Sequence, residues 1–159
     1  MRLVVLAVGS PRDRHMAALI REYETRAGRY FRLETIEVAA ATGVGGSPQQ
    51  ARTREAQNLR KRIPVGLDTW ALTCAGREIG SRELAGSLSD LATYGQPGVA
   101  FLIGGAFGLD EDLVKGSSRT LSLSRMTLPH DMARLLLAEQ LYRAGTITRG
   151  EPYHKGGPR

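Results

Sequence analysis

One cysteine, Cys74, stands in the whole chain, so no disulfide forms within it and no thiolate cluster can hold a metal. No apolar run approaches the roughly 20 residues that a membrane helix requires. Residues 3–8 are apolar, but they follow a single arginine and lead to no small-residue cleavage site, which argues against a secretory signal. These absences predict a cytoplasmic protein with neither a membrane nor a metal among its partners. Acidic residues are in deficit as well: 16 Asp+Glu against 22 Lys+Arg leave a net charge of +6 and a pI near 10.0. Such a balance fits phosphate-bearing partners, whose neutralisation releases condensed counterions. A charge that serves solubility alone is the plainer alternative. The basic residues fall in two zones, Arg52, Arg54, Arg60, Lys61 and Arg62, then Arg143, Arg149, Lys155 and Arg159. That spread suits a large polyanion better than a small nucleotide.

What is present reads as one soluble domain over residues 1–159, with 42% hydrophobic and 24% charged residues. Leu3–Val8 predicts a buried strand closed by Gly9. Ser10-Pro11-Arg12-Asp13 predicts a helix start with a serine cap, and Met16, Leu19, Ile20, Tyr23 and Ala27 share one face before Gly28. Phe31–Val38 is a second strand, followed by a Gly-rich loop near residue 43 expected to be mobile. Ser47-Pro48-Gln49-Gln50 predicts a capping box opening an arginine-rich helix, mostly solvated or in contact with RNA. Leu67–Cys74 is a third strand ended by Ala75-Gly76, and Ser81 caps a helix carrying Leu84, Leu88 and Leu91. Gly98–Ile103 and Thr120–Ser124 are further strands with a short helix between them, and a last helix runs from Pro129 to about Gly145. The tail after Gly150 is expected to be mobile.

Strands alternating with helices predict an α/β fold, a mainly parallel sheet with helices on both faces. Ligands of such sheets sit at the carboxyl ends of strands, here Cys74-Ala75-Gly76, Gly104-Gly105 and Ser124-Arg125-Met126. Gly104-Gly105-Ala106-Phe107-Gly108 lacks the Gly-Lys-Ser/Thr of a phosphate-binding P-loop and the glycine order of a dinucleotide fingerprint. It is either a tight turn or a place of close ligand approach. Asp110, Glu111 and Asp112 read as acids serving a helix dipole, and His15 and His130 as structural. His154, after Tyr153 in a basic tail, is either disordered or functional. The last helix is apolar on most faces through Met132, Ala133, Leu135, Leu136, Leu137, Ala138 and Leu141, so it is deeply buried or shared with a second copy.

Taken in order, Leu3–Gly9, Leu102–Leu109, Leu121–Ser124, Thr127–His130, Ala138–Ala144 and Pro152–Lys155 resemble the bacterial ribosomal RNA large-subunit methyltransferase H family over essentially the whole chain. The resemblance implies a SPOUT fold whose C-terminal part is threaded into a deep trefoil knot. It also implies a homodimer, and methyl transfer from S-adenosylmethionine (S-adenosyl-L-methionine) to N3 of a pseudouridine in 23S rRNA within the assembled ribosome. It places the cofactor against Leu72, Gly104, Gly105, Leu123, Ser124, Arg125, Met126, Thr127 and Leu128. Thr73 stands where the family commonly has an aspartate, and Ala106-Phe107 where many members have proline and an acid. For catalysis, Tyr153 and His154 with Arg143 or Arg134 are the candidates, acting from either subunit. A non-catalytic RNA-binding protein, an unrelated nucleotide enzyme and a methyltransferase with another RNA target are the rival readings.

Overall fold

The computed structural model describes residues 1–41 and 46–154, the last by its backbone alone. The Gly-rich loop around residue 43 and the final residues of the tail therefore lie outside the described part. Five parallel strands form one sheet in the order β2-β1-β4-β3-β5: β1 Arg2–Val8, β2 Arg32–Val38, β3 Asp68–Glu78, β4 Gly98–Ile103 and β5 Arg119–Ser122. The helices are α1 Arg14–Ala27, α2 Pro48–Arg60, α3 Ser81–Thr93, α4 Glu111–Lys115 and α5 His130–Thr148, with a 3-10 turn at Pro152–His154.

Alternation along β1 divides the core. Leu3, Val5 and Ala7 pack with Ala27, Leu84, Leu88, Leu137, Leu141 and Ala144, so α1, α3 and α5 cover one face. Val4, Leu6 and Val8 pack with Ala56, Leu59, Ala100, Leu102 and Leu113, so α2 and α4 cover the other. Helices on both faces explain why β1 and β4 are continuous apolar runs. Trp70 and Phe101 meet edge to face, 5.4 Å between ring centroids, in the first of these layers.

Several sequence expectations are corrected by local chemistry. Asp13, not Ser10, caps α1: its carboxylate accepts from the amides of His15 and Met16, whereas the Ser10 hydroxyl is engaged by Glu37. Ser81 is the first residue of α3 rather than its cap, and its hydroxyl donates to Gln140 Oε1 at 2.6 Å, linking α3 to α5. The capping box at Ser47 and Gln50 is present. The helix it opens nevertheless has a buried side, Ala51, Glu55, Ala56 and Leu59. The last strand stops at Ser122, and α5 continues to Thr148, where its apolar residues are covered largely by α1 and α3 of the same chain.

The third strand does not end at Ala75-Gly76. It continues to Glu78 because Leu121 of β5 pairs first with Leu72 and again with Arg77, looping out the residues between. A Cβ on Gly76 would lie 2.7–2.9 Å from the backbone of Leu121, so glycine there permits a close strand approach instead of terminating the strand.

Candidate cofactor pocket

The pocket opens where β3 parts from β4. Ala71 still pairs with Leu102, and beyond that pair β3 keeps only its contact with β5. Leu72, Thr73 and Cys74 form one wall. Ile103–Ala106 with Gly108 and Leu109 form the second, and Leu123, Ser124 and Met126–Leu128 the third. His130 and Ala133, from the first turns of α5, complete it.

The second wall is held by backbone. Gly105 and Gly108 bridge, the Gly108 amide donating to the Gly105 carbonyl at 3.0 Å, and Gly108 has a φ of +77°. A Cβ on Gly104 would lie 2.5 Å from the carbonyl carbon of Gly108 and 2.6 Å from the Leu109 nitrogen. One on Gly105 would lie 2.9 Å from Val8 and 3.0–3.1 Å from the carboxylate oxygens of Glu55. On the third wall the Ser122 hydroxyl donates to the Ser124 carbonyl at 2.9 Å, and the Met126 amide donates to the Ser124 hydroxyl at 3.0 Å.

Among the described residues, no carboxylate, lysine or arginine lines the cavity. Apolar walls and glycine loops that leave close access to backbone polar groups fit the adenine part of S-adenosylmethionine. The enclosed volume of about 190 Å³ is below the roughly 300 Å³ at which small-molecule sites begin.

Of the residues expected to touch the cofactor, Leu72, Gly104, Gly105, Leu123, Ser124, Met126, Thr127 and Leu128 all line this pocket. Arg125 does not. Its exposed side chain turns to Glu78, 3.4 Å away, over an adjoining groove lined by residues 74–78. Sequence reasoning missed His130, whose Nε2 sits 2.9 Å from Asp131 and beside Gly9. Its position directly after the third wall was the available signal.

Of the residues expected to be catalytic, Tyr153, Arg143 and Arg134 fall into two places, and none of these three lines the pocket. Tyr153 donates to Glu139 Oε1 at 3.1 Å, and Arg143 reaches the same oxygen with Nε at 3.0 Å. The Arg143 guanidinium lies 4.9 Å from the centre of the Tyr153 ring, and Tyr142 packs on that ring at 4.5 Å between centroids. Burial, contact with Tyr23 and the charge of Glu139 raise the Tyr153 phenol well above its ordinary value, so it remains protonated. The Glu139 hydrogen bonds keep Arg143 charged. Tyr30 bonds Glu151 just ahead of this turn. Pro152–His154 is thus a fastened turn, where sequence predicted a mobile tail; the His154 side chain lies outside the described structure.

Arg134 lies elsewhere, only 7% exposed. Its Nε is 2.9 Å from Glu24 Oε1 of α1 and its Nη1 2.5 Å from Glu37 Oε1 of β2. Burial works against its charge, but the two carboxylates outweigh this and raise its pKa further. It is a strut between α5, α1 and β2.

A profile of the family described as "Predicted SPOUT methyltransferase" matches residues 1–154. The chain belongs to this family. A relative from Gemmatimonas aurantiaca, named ribosomal RNA large subunit methyltransferase H, is 44% identical over 155 residues, which cover 98% of this chain and all of that protein. The family fold is also seen in a probable methyltransferase of Bordetella pertussis, with a TM-score of 0.57 at 20% identity, covering 90% of this chain and 95% of that one. A Legionella pneumophila protein solved with bound S-adenosylmethionine matches with a TM-score of 0.53 at 12% identity, over 91% of this chain and 66% of its own.

Proposed function

We propose that this protein transfers a methyl group from S-adenosylmethionine to N3 of a pseudouridine in the 23S rRNA of assembled ribosomes, working in the cytoplasm as a homodimer. The observation that carries the reading is the pocket built from backbone at Gly104–Gly108 and residues 123–128, in a chain so similar to relatives named for ribosomal RNA methylation. When bound, the cofactor supplies an activated methyl group and its own thioether leaving group, so the chain needs to hold and aim it rather than activate it. Leu72, the glycine-bearing wall and the wall of residues 123–128 do the holding. Threading of the C-terminal segment through a deep trefoil knot belongs to the same reading.

The acceptor nitrogen must lose a proton as it gains the methyl group. In this reading Arg143, held charged, stabilises the negative charge that develops on the uracil ring, and Tyr153, held neutral, acts as a hydrogen-bond donor rather than a base. His154 is the remaining candidate to take the proton. Tyr153 and Arg143 do not line their own pocket, which favours delivery from the second subunit. Leu19 and Met132 stand exposed, and Leu135 and Leu136 are only partly covered, leaving apolar surface for that subunit to bury. Arg134, buried between two carboxylates, is assigned to structure and not to chemistry.

Incubation with methyl-labelled S-adenosylmethionine and intact ribosomes should label one pseudouridine of 23S rRNA, located by mass spectrometry of nuclease fragments. Cofactor binding without label in any RNA would favour a non-catalytic RNA-binding protein. A chain ended at Gly150 should bind the cofactor normally yet lose turnover on ribosomes by about 100-fold or more, the scale of a lost charge-stabilising or acid–base group. Unchanged turnover would remove Tyr153 and His154 from the mechanism.

A further inference from the structure

A buried carboxylate stands behind the cofactor pocket, and neither the pocket lining nor the proposed chemistry uses it. Glu55 lies on α2 and is 2% exposed. Its Oε1 accepts from the Ala41 amide at 2.9 Å, while its Oε2, fully enclosed, has no hydrogen-bond partner among the described residues. Burying such a group without a cation costs stability, so its place needs a reason. Both oxygens lie 3.0–3.1 Å from where a Cβ of Gly105 would be. Gly105 itself lines the pocket and Glu55 does not. One thickness of glycine backbone therefore separates the carboxylate from the ligand space. Of the other carboxylates that adjoin the lining, Asp110 accepts from the first amides of α4, while Asp131 lies 2.9 Å from His130 Nε2 with its Oδ1 likewise buried and without a hydrogen bond among the described residues.

We propose that Glu55 is a charge-selective positioning residue, an anion set behind Gly105 that favours the positively charged methyl donor over its neutral demethylated product. The proposal rests on the reading of this cavity as the S-adenosylmethionine site. Among the described residues the lining holds no carboxylate, lysine or arginine, and S-adenosylmethionine differs from S-adenosylhomocysteine by the methyl group and the sulfonium charge. After transfer the electron pair of the broken S–C bond stays on sulfur, the cation disappears, and the attraction to Glu55 goes with it. Across a separation of this kind, at an effective dielectric of about 20, one unit charge changes a binding constant by roughly 10-fold or more. Glycine at 105 is what lets the carboxylate come so close, since any side chain there would collide with it and with Val8.

The test is calorimetric titration of the purified full chain with each ligand, beside a thermal melt to confirm folding. Glu55→Gln keeps the shape and the acceptor for the Ala41 amide while removing the charge. It should weaken S-adenosylmethionine by about 10-fold and S-adenosylhomocysteine by less than about 2-fold. Equal weakening of both ligands would reduce Glu55 to a structural role, and an unchanged affinity for S-adenosylmethionine would also overturn the proposal. Glu55→Asp keeps the charge, so the ratio of the two affinities should stay near that of the unsubstituted protein even if both weaken. A collapsed ratio in that variant is a second way to lose the proposal, and it stands if the glutamine variant fails to fold. If the unsubstituted protein binds neither ligand, the pocket assignment fails and takes this inference with it. If binding is normal but the ratio is insensitive to charge at position 55, only the inference fails.

Discussion

Gly104→Ala is expected to weaken S-adenosylmethionine binding by at least about 100-fold, a loss of some 2.8 kcal/mol, while the protein still folds. The added methyl group would lie 2.5–2.8 Å from three backbone atoms of Gly108 and Leu109. No rotamer change relieves a clash between a Cβ and backbone, so the turn itself must move. Its movement would break the Gly105–Gly108 bridge and shift the second wall of the pocket relative to Leu72 and Leu123. The general cost of overpacking, about 1–3 kcal/mol, is tolerable here because Gly104 lies beyond the last residue of β4. Calorimetry for the ligand and a thermal melt for the fold separate the two effects. Binding at the unsubstituted level would mean that the cofactor does not use this wall.

Arg134→Met should have its large effect on stability instead. Removing one partner from a buried ion-pair network costs about 3–5 kcal/mol, because the opposing carboxylates are left without compensation. At about 2–4 °C per kcal/mol for a domain of this size, the melting temperature should fall by roughly 6–20 °C. Cofactor affinity should change little, since Arg134 does not line the pocket. The pH dependence carries a sign that can be checked. Burial alone would raise the Glu37 pKa, but the hydrogen bonds from Arg134 and Ser10 and the Arg134 charge outweigh it and hold the carboxyl below its ordinary value. A carboxyl depressed in the folded state stabilises above its unfolded pKa, and that contribution disappears as pH falls through the lower folded value. The methionine variant has little of this contribution to lose. The stability gap between the two proteins should therefore narrow on acidification, as followed by denaturant titration at a series of pH values. A gap that widens would refute the role given to this pair.

The strands and most helices were legible because their signals are local. Leu3–Val8 and Gly98–Ile103 are continuous apolar runs, as strands covered on both faces must be, and Ser47 with Gln50 forms the reciprocal cap its spacing predicts. Where two local signals compete, sequence alone does not choose: Asp13 outranks Ser10 because its carboxylate reaches two amides of α1 while Ser10 is drawn to Glu37. Gly76 carries a stop signal, yet a strand neighbour 2.7 Å from its missing Cβ makes it a point of close approach. The walls of the pocket come from three separated segments, and it was the ordered resemblance, more than any single motif, that joined them. Arg134 and Glu55 were hidden for the opposite reason. The arginine meets carboxylates 110 and 97 residues away, and the glutamate sits in a helix whose many arginines make it look solvated.

The turn at Pro152–His154 is already tied down within its own chain, through Tyr153 on Glu139, Arg143 and Tyr142 and through Glu151 on Tyr30. Fixing the backbone of a residue costs roughly 1–2 kcal/mol of conformational entropy, and for this segment that cost is met during folding, before any partner arrives. On the proposed function, a small enzyme that must find one base on a ribosome meets mostly wrong surfaces. With the turn shaped in advance, each encounter begins from a finished template, and little ordering has to be undone when the surface is wrong.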